Sequence, residues 1–229
     1  MTNNNDIEHS TQNRLRFYSF CSISTLILFY SWLIIAAILS PGYTGSIYIS
    51  PISVGFYAMV QNIVFVILGL LSIGLVLGLR IGLPSPQNRL LKVGVWSIII
   101  FSLGVLLAGL LPLAGLLTTN YLLRVPYNLI SVTAFAVTIV AYIVALMLIG
   151  QGLKNEDSEI WGKYRKYSFR IGLIFIILLI LLILTILYTS YPGLIQRIYI
   201  ILLWVWFLIT GLKLYYISKN QIMKGDLVN

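Results

Sequence analysis

Six long apolar segments run along the chain, separated by shorter polar stretches. Each has about 20 residues or more, which is enough for an α-helix to cross a hydrocarbon layer about 30 Å thick. The pattern predicts an all-α fold, a polytopic six-helix transmembrane bundle over residues 18–217 with polar tails at 1–17 and 218–229. The predicted spans are 18–40, 53–79, 93–117, 125–150, 171–190 and 194–217.

The positions of the basic residues predict an orientation. Most of the 15 Lys and Arg residues fall in or beside the two tails and the second and fourth connections, and the exceptions are Arg124 and Arg197. Cytoplasmic loops of membrane proteins carry an excess of Lys and Arg. An even number of spans and this asymmetry together predict that the N and C termini are both cytoplasmic, in a multi-pass protein of the plasma membrane.

The connection at residues 151–170 is long enough to hold structure of its own. Its apolar and aromatic residues recur at helical spacing, and they are Ile160, Trp161, Tyr164 and Tyr167. One interpretation is a short helix lying in the membrane interface. The other is a loop whose positive charge only sets the orientation.

The fifth segment is apolar on every side from Leu173 to Leu187. Such a helix has no face reserved for a polar interior, so it is predicted at the lipid-facing periphery. In the sixth segment, Trp204 and Trp206 lie far from both ends, and each indole N–H needs a buried acceptor. We expect them to pack in the core.

The composition supports a membrane protein and excludes a large soluble domain. Hydrophobic residues make up 59% of the chain and charged residues 9%, whereas soluble domains have about 45–50% and about 25%. The net charge of +9 is explained by orientation, so nucleic acid is not a predicted partner. The lipid bilayer is.

Groups that carry most membrane chemistry are missing from the predicted spans. The single histidine, His9, is in the amino-terminal tail, and no Asp, Glu, Lys or Arg lies well inside a span. Proton relays and most ion-coupled transporters need ionisable groups there, and haem or zinc needs a ligand cluster. The sequence predicts no cofactor, no metal site and no catalytic residue, and favours a protein that is not an enzyme. A membrane-embedded enzyme acting on lipids is disfavoured because it would lack a general acid or base.

Polar residues follow one face of the second span and one face of the fourth. Because lipid offers them no partners, both stripes are expected to face the bundle interior and to meet near the outer leaflet. One interpretation is hydrogen bonding between helices. The other is a pocket for an anionic headgroup or substrate, formed by Tyr57, Gln61, Asn62, Arg124, Tyr127, Asn128 and Arg197.

Small residues mark two further stripes. Gly74, Gly78 and Gly82 follow one another at four-residue spacing, as do Ala141 and Ala145. Small residues at this spacing let helix backbones approach closely, so both stripes are predicted helix-packing surfaces.

The segments SVGFYAMVQNIVFVILGLLSIGLVLGL (53–79) and VGVWSIIIFSLGVLLAGLLP (93–112) resemble a prokaryotic integral membrane family named domain of unknown function 998. The resemblance covers about residues 20–190 and implies six helices, the third of which is rich in glycine and ends at a proline. The residues that carry it are Gly55, Asn62, Gly69, Gly94, Gly104, Gly109 and Pro112. The family implies no established reaction.

The chain departs from the pattern that this resemblance implies. Family members carry an acidic residue after the proline and a histidine near the next helix. Here Leu113, Ala114 and Gly115 follow Pro112, and no histidine is available. Activity that needs those groups is therefore not expected.

Two functions remain open. The first is a non-enzymatic accessory or scaffold subunit that contacts other membrane subunits through its small-residue stripes. The alternative is a small transporter or an anionic-lipid-binding protein that uses the polar stripes of the second and fourth spans.

Overall fold

The structure, a computed structural model, describes residues 4–39, 56–84, 87–117, 121–154, 159–188 and 192–225. In these residues the chain forms six α-helices and no strand, which confirms the predicted all-α fold. The helices are α1 (Asn4–Leu39), α2 (Phe56–Gly82), α3 (Arg89–Leu117), α4 (Tyr121–Gly152), α5 (Glu159–Tyr188) and α6 (Pro192–Gly225).

The helices pack in chain order as a closed ring. Each helix contacts the next one along the chain, α6 returns to α1, and α6 also touches α2. Neighbouring helices are antiparallel. In the α2–α3 pair, for example, Gly69 lies against Leu106 while Gly109 lies against Asn62.

Aromatic side chains fill the centre of the ring. Tyr142 of α4 is fully buried, and its hydroxyl donates a hydrogen bond to the carbonyl oxygen of Leu203 in α6 at 3.1 Å. Its ring centroid lies between 5.0 and 6.2 Å from those of its aromatic neighbours, which are Phe101, Phe175, Trp206 and Phe207. Rings at such separations attract one another beyond simple burial, so this cluster joins α3, α4, α5 and α6.

Trp204 and Trp206 belong to this core, as the sequence predicted. They are 3% and 0% exposed. The sequence predicts a buried hydrogen-bond acceptor for each indole N–H. Among the described residues, neither the Trp204 nor the Trp206 Nε1 atom has one.

The basic segment after α4 differs from both interpretations of residues 151–170. Residues 159–170 are the first turns of α5, continuous with the predicted fifth span, so they form neither a separate interfacial helix nor a loop. Trp161 and Tyr164 are buried, and the Tyr164 hydroxyl lies 2.8 Å from Oγ1 of Thr210 in α6. The aromatic residues at helical spacing therefore pack against α6.

All six helices extend beyond the predicted spans at one end or both, and α1, α5 and α6 extend farthest. Residues 4–17 continue α1, residues 159–170 begin α5, and residues 218–225 continue α6. The hydropathy pattern marks only the part of a helix that lies in hydrocarbon, whereas backbone hydrogen bonding continues into the polar flanks.

Length and composition identify membrane-spanning helices. Among the described residues, α1, α2, α3, α5 and α6 each contain a segment long and apolar enough to cross a bilayer, and the described apolar part of α4, Ala136–Gly152, is shorter. On α5, Ile177 and Ile180 are 58% and 53% exposed, which agrees with a position facing lipid. These helices define a multi-pass α-helical membrane protein.

Candidate functional site

Basic residues of the two tails and of the second and fourth connections meet at one end of the bundle. Because neighbouring helices are antiparallel, α1, α3 and α5 begin at this end, and α2, α4 and α6 finish there. A Cβ atom at Gly82 would lie 2.5 Å from Cδ2 of Leu214 and 3.5 Å from Cδ2 of Leu15, so the ends of α2 and α6 meet the start of α1. We call this surface the basic end.

A groove opens at the basic end between α2 and α3. It has a volume of about 270 Å³, and its walls carry two cations, Arg80 from α2 and Lys92 from α3. We call it the α2/α3 groove. Its apolar lining includes Leu79, Leu83, Leu91 and Trp96.

The floor and one wall of this groove differ in exposure. Leu79 and Leu91 are buried, whereas the indole of Trp96 is 63% exposed. Trp favours the membrane interface because its ring is apolar and its N–H needs a polar partner. The groove thus combines an apolar floor, an aromatic wall and a positively charged rim.

Asn88 holds the rim in place. Its Oδ1 accepts a hydrogen bond from the backbone N–H of Leu90 at 2.9 Å, which is the N-cap contact of a helix that begins at Arg89. Its Nδ2 donates to the carbonyl oxygen of Gly152, at the end of α4, at 2.8 Å. One side chain therefore both starts α3 and ties that start to α4.

Gln87 positions the second cation. Its Oε1 accepts a hydrogen bond from Nζ of Lys92 at 3.1 Å. The bond is exposed, so it directs the ammonium group at little cost in free energy. Arg80 and Lys92 can then face one anion together while the apolar floor contacts hydrocarbon, which is the arrangement that an anionic amphiphile requires.

The pocket predicted on the second and fourth spans lies partly within the described residues. The side chains of Tyr57, Arg124, Tyr127 and Asn128 lie outside the described residues. Arg197 is half-buried near the start of α6. The pocket stays a prediction.

Two residues of that pocket are buried on α2. Gln61 is 3% exposed and Asn62 is 5% exposed, as expected for a stripe that faces the interior. The Gln61 Oε1 atom has no hydrogen-bond partner among the described residues. In the ring α3 packs along both α2 and α4.

The glycine stripe on α2 lies against two helices. A Cβ at Gly74 would lie 2.8 Å from Cβ of Cys21 in α1, and one at Gly78 would lie 2.9 Å from both Cβ of Tyr18 and Cδ1 of Leu214. These contacts allow α2 to approach α1 and α6 closely.

The alanine pair is also buried, on α4. Ala141 is 9% exposed and Ala145 is 0% exposed. A Cβ at Gly94 of α3 would lie 3.4 Å from the carbonyl oxygen of Ala145, so α3 approaches α4 where the small side chain leaves room.

Sequence reasoning missed the α2/α3 groove. It assigned Arg80 and Lys92 to a connection and used them only for orientation. The two residues are twelve positions apart in the sequence, and they line one groove only because the chain reverses direction between them. Trp96 at an interfacial depth beside two cations was the available signal.

The family to which this membrane protein belongs is shown by comparison. Residues 23–213 match the model of the family described as "Protein of unknown function (DUF998)". The chain therefore belongs to that family, which confirms the resemblance seen in the glycine-rich second and third spans. No curated protein and no solved structure matches the chain.

Proposed function

We propose that the chain is a non-enzymatic multi-pass protein of the plasma membrane that binds an anionic phospholipid in the α2/α3 groove. Its basic end faces the cytoplasm, where anionic headgroups attract juxtamembrane cations. The headgroup phosphate lies between Arg80 and Lys92, and an acyl chain lies along the apolar floor.

The observation that carries this proposal is the shape of the groove together with its chemistry. The lining changes from cationic at Lys92 to apolar at Val95 and Ile99. Along a helix, seven residues cover about 10 Å. A phospholipid changes from phosphate to hydrocarbon over a comparable distance, so each part of the lipid meets a matching part of the groove.

Neutralising both cations should release the lipid. Each cation near an anionic headgroup contributes about 1 kcal/mol, so the pair Arg80→Gln and Lys92→Gln should weaken phosphatidylglycerol binding about 30-fold. Native mass spectrometry of protein released from nanodiscs containing phosphatidylglycerol and phosphatidylcholine measures this. The control is Arg89→Gln. Arg89 is an exposed cation at the same end of the bundle, but it does not line the groove.

Filling the floor tests the acyl-chain contact without changing charge. Ile99→Trp places a large ring in the groove and should reduce phosphatidylglycerol retention in the same spectra, whereas Ile100→Trp adds the ring at a neighbouring position that is 47% exposed. Equal retention by wild type, the double-Gln variant and Ile99→Trp would contradict the proposal.

A second candidate function is an accessory or scaffold subunit of a membrane assembly. The exposed side of α1 favours it, because Ser24 and Ser31 lie there among Phe20, Ile27 and Ile34. Small polar residues on the surface of a spanning helix are typical of contacts between helices. The same spectra test this candidate, since a strictly monomeric particle with no bound protein would contradict it. Transport through the polar stripes stays an alternative that depends on residues outside the described part of the chain.

A further inference from the structure

A second groove lies at the basic end, between the end of α4 and the first turns of α5. Its volume is about 230 Å³, and the lining residues used below are Gly150, Lys154, Arg165, Lys166, Phe169 and Arg170. We call it the α4/α5 groove. It carries four cations, twice the number in the α2/α3 groove, and no carboxylate is among its described lining residues.

The two helices are held together directly beneath these cations. A Cβ at Gly150 would lie 2.8 Å from both the backbone N and Cβ of Phe169. One turn deeper, Oγ of Ser168 donates a hydrogen bond to the carbonyl oxygen of Leu146 at 3.0 Å. With backbones this close, cations on α4 and α5 cannot relieve their repulsion by moving the helices apart.

One of the cations is already oriented. Nη1 of Arg165 donates a hydrogen bond to the carbonyl oxygen of Lys154 at 2.8 Å. This bond uses one of the five guanidinium N–H donors and leaves four. A guanidinium held in this way loses less freedom when it binds an anion than an unrestrained side chain would.

We propose that the α4/α5 groove binds a phosphate group carrying two negative charges, with Arg165 and Arg170 as bidentate donors and Lys154 and Lys166 as point charges. Two guanidinium forks match the oxygens of one phosphate, and four cations match a doubly charged monoester better than a singly charged diester. The ligand is either a lipid headgroup ending in a phosphomonoester or a soluble phosphate. This site is separate from the α2/α3 groove and does not depend on it.

Excess positive charge at a cytoplasmic end also arises simply from membrane orientation. Orientation depends on charge and not on the fork of an arginine. A variant that keeps every charge but removes the forks therefore separates a built site from an orientation signal.

The test compares the wild-type protein with a double-Lys variant that carries both Arg165→Lys and Arg170→Lys. Nanodiscs of phosphatidylcholine carry either phosphatidic acid, a phosphomonoester, or phosphatidylglycerol, a phosphodiester, and native mass spectrometry counts the retained lipid. Loss of bidentate geometry should weaken phosphatidic acid binding about tenfold with no change in net charge. The matched control is Arg80→Lys, an arginine at the same end that lines the other groove.

A second variant guards against misfolding. Lys166→Gln changes one exposed side chain of the groove and should weaken phosphatidic acid binding while leaving the thermal unfolding temperature unchanged. Inorganic phosphate is added as a competitor in a separate arm. If millimolar inorganic phosphate displaces phosphatidic acid from the wild-type protein, a soluble phosphate is sufficient as the ligand. If phosphate does not displace it but the variants bind less phosphatidic acid, the ligand is the lipid.

Both of those results support the shared chemistry. Equal binding of phosphatidic acid by wild type, the double-Lys variant and Lys166→Gln would overturn the proposal, as would equal retention of phosphatidic acid and phosphatidylglycerol. Failure of the proposal for the α2/α3 groove is distinguished by a different result. In that case the double variant Arg80→Gln and Lys92→Gln would bind phosphatidylglycerol as the wild-type protein does.

Discussion

Replacing Tyr142 by alanine is expected to destabilise the bundle by about 3 kcal/mol, the lower part of the range for removing an aromatic ring from a packed core. We expect the lower part of this range because the protein lies in a bilayer. The substitution still loses packing contacts and leaves a cavity, but it loses no free energy of transferring the ring from water into an apolar core. Tyr142 is fully buried and contacts rings from α3, α5 and α6, so no single helix can move to fill the space.

Unfolding in mixed micelles with a rising fraction of sodium dodecyl sulfate measures this loss. Tyr142→Phe removes only the hydroxyl that donates to Leu203 and should cost about 0.6 kcal/mol, the average for such bonds in membrane bundles. Ile177→Ala is the control for truncating a lipid-facing side chain, because the Ile177 side chain is 58% exposed and lipid can replace it. A loss for Tyr142→Ala no larger than that for Ile177→Ala would show that the aromatic cluster is not the centre of the bundle.

Gly109→Ala is expected to cost about 2 kcal/mol, within the range for inserting a methyl group where no space exists. A Cβ there would lie 2.6 Å from the carbonyl oxygen of Asn62 and 2.9 Å from the backbone N of Val66. These are backbone atoms of α2, so α2 and α3 must move apart to admit it. The higher helix propensity of alanine offsets only part of this cost.

Gly162→Ala supplies the opposite result in the same assay. Gly162 lies in α5, and an added Cβ would meet no atom within 4 Å. The substitution should stabilise the protein by about 0.4–1 kcal/mol, because it restricts the unfolded chain without straining the folded one. If the Gly109→Ala and Gly162→Ala variants had the same free energy of unfolding, this would contradict the close approach of α2 and α3 at Gly109.

The six helices could be predicted because each apolar run is long enough to span a bilayer. Their full lengths could not, because residues 4–17 and 218–225 are polar and continue α1 and α6 beyond the hydrocarbon. For the same reason the hydropathy pattern assigns residues 159–170 to a connection and not to α5, although the spacing of Trp161 and Tyr164 indicates a helix. Hydropathy reports the surrounding medium, whereas helix continuity depends on backbone hydrogen bonds.

The helix neighbours were harder to predict than the helices. Glycine spacing showed that α2 carries a close-packing face but not that Tyr18 and Leu214 would cover it. The polar stripes of the second and fourth spans predict that those spans meet near the outer leaflet, and the side chains that would test this, such as Arg124 and Asn128, lie outside the described residues. Both grooves need residues from two helices, such as Arg80 with Lys92, so no single segment reveals them.

Cysteine accessibility in intact cells tests the central claim, that the basic end is one cytoplasmic surface. Cys21, the only cysteine, is first replaced by serine, and single cysteines are then introduced as Lys166→Cys at the basic end and Tyr188→Cys at the opposite end of α5. A membrane-impermeant maleimide should label Tyr188→Cys in intact cells and Lys166→Cys only after permeabilisation. Labelling of Lys166→Cys in intact cells would place the basic end outside and contradict the account.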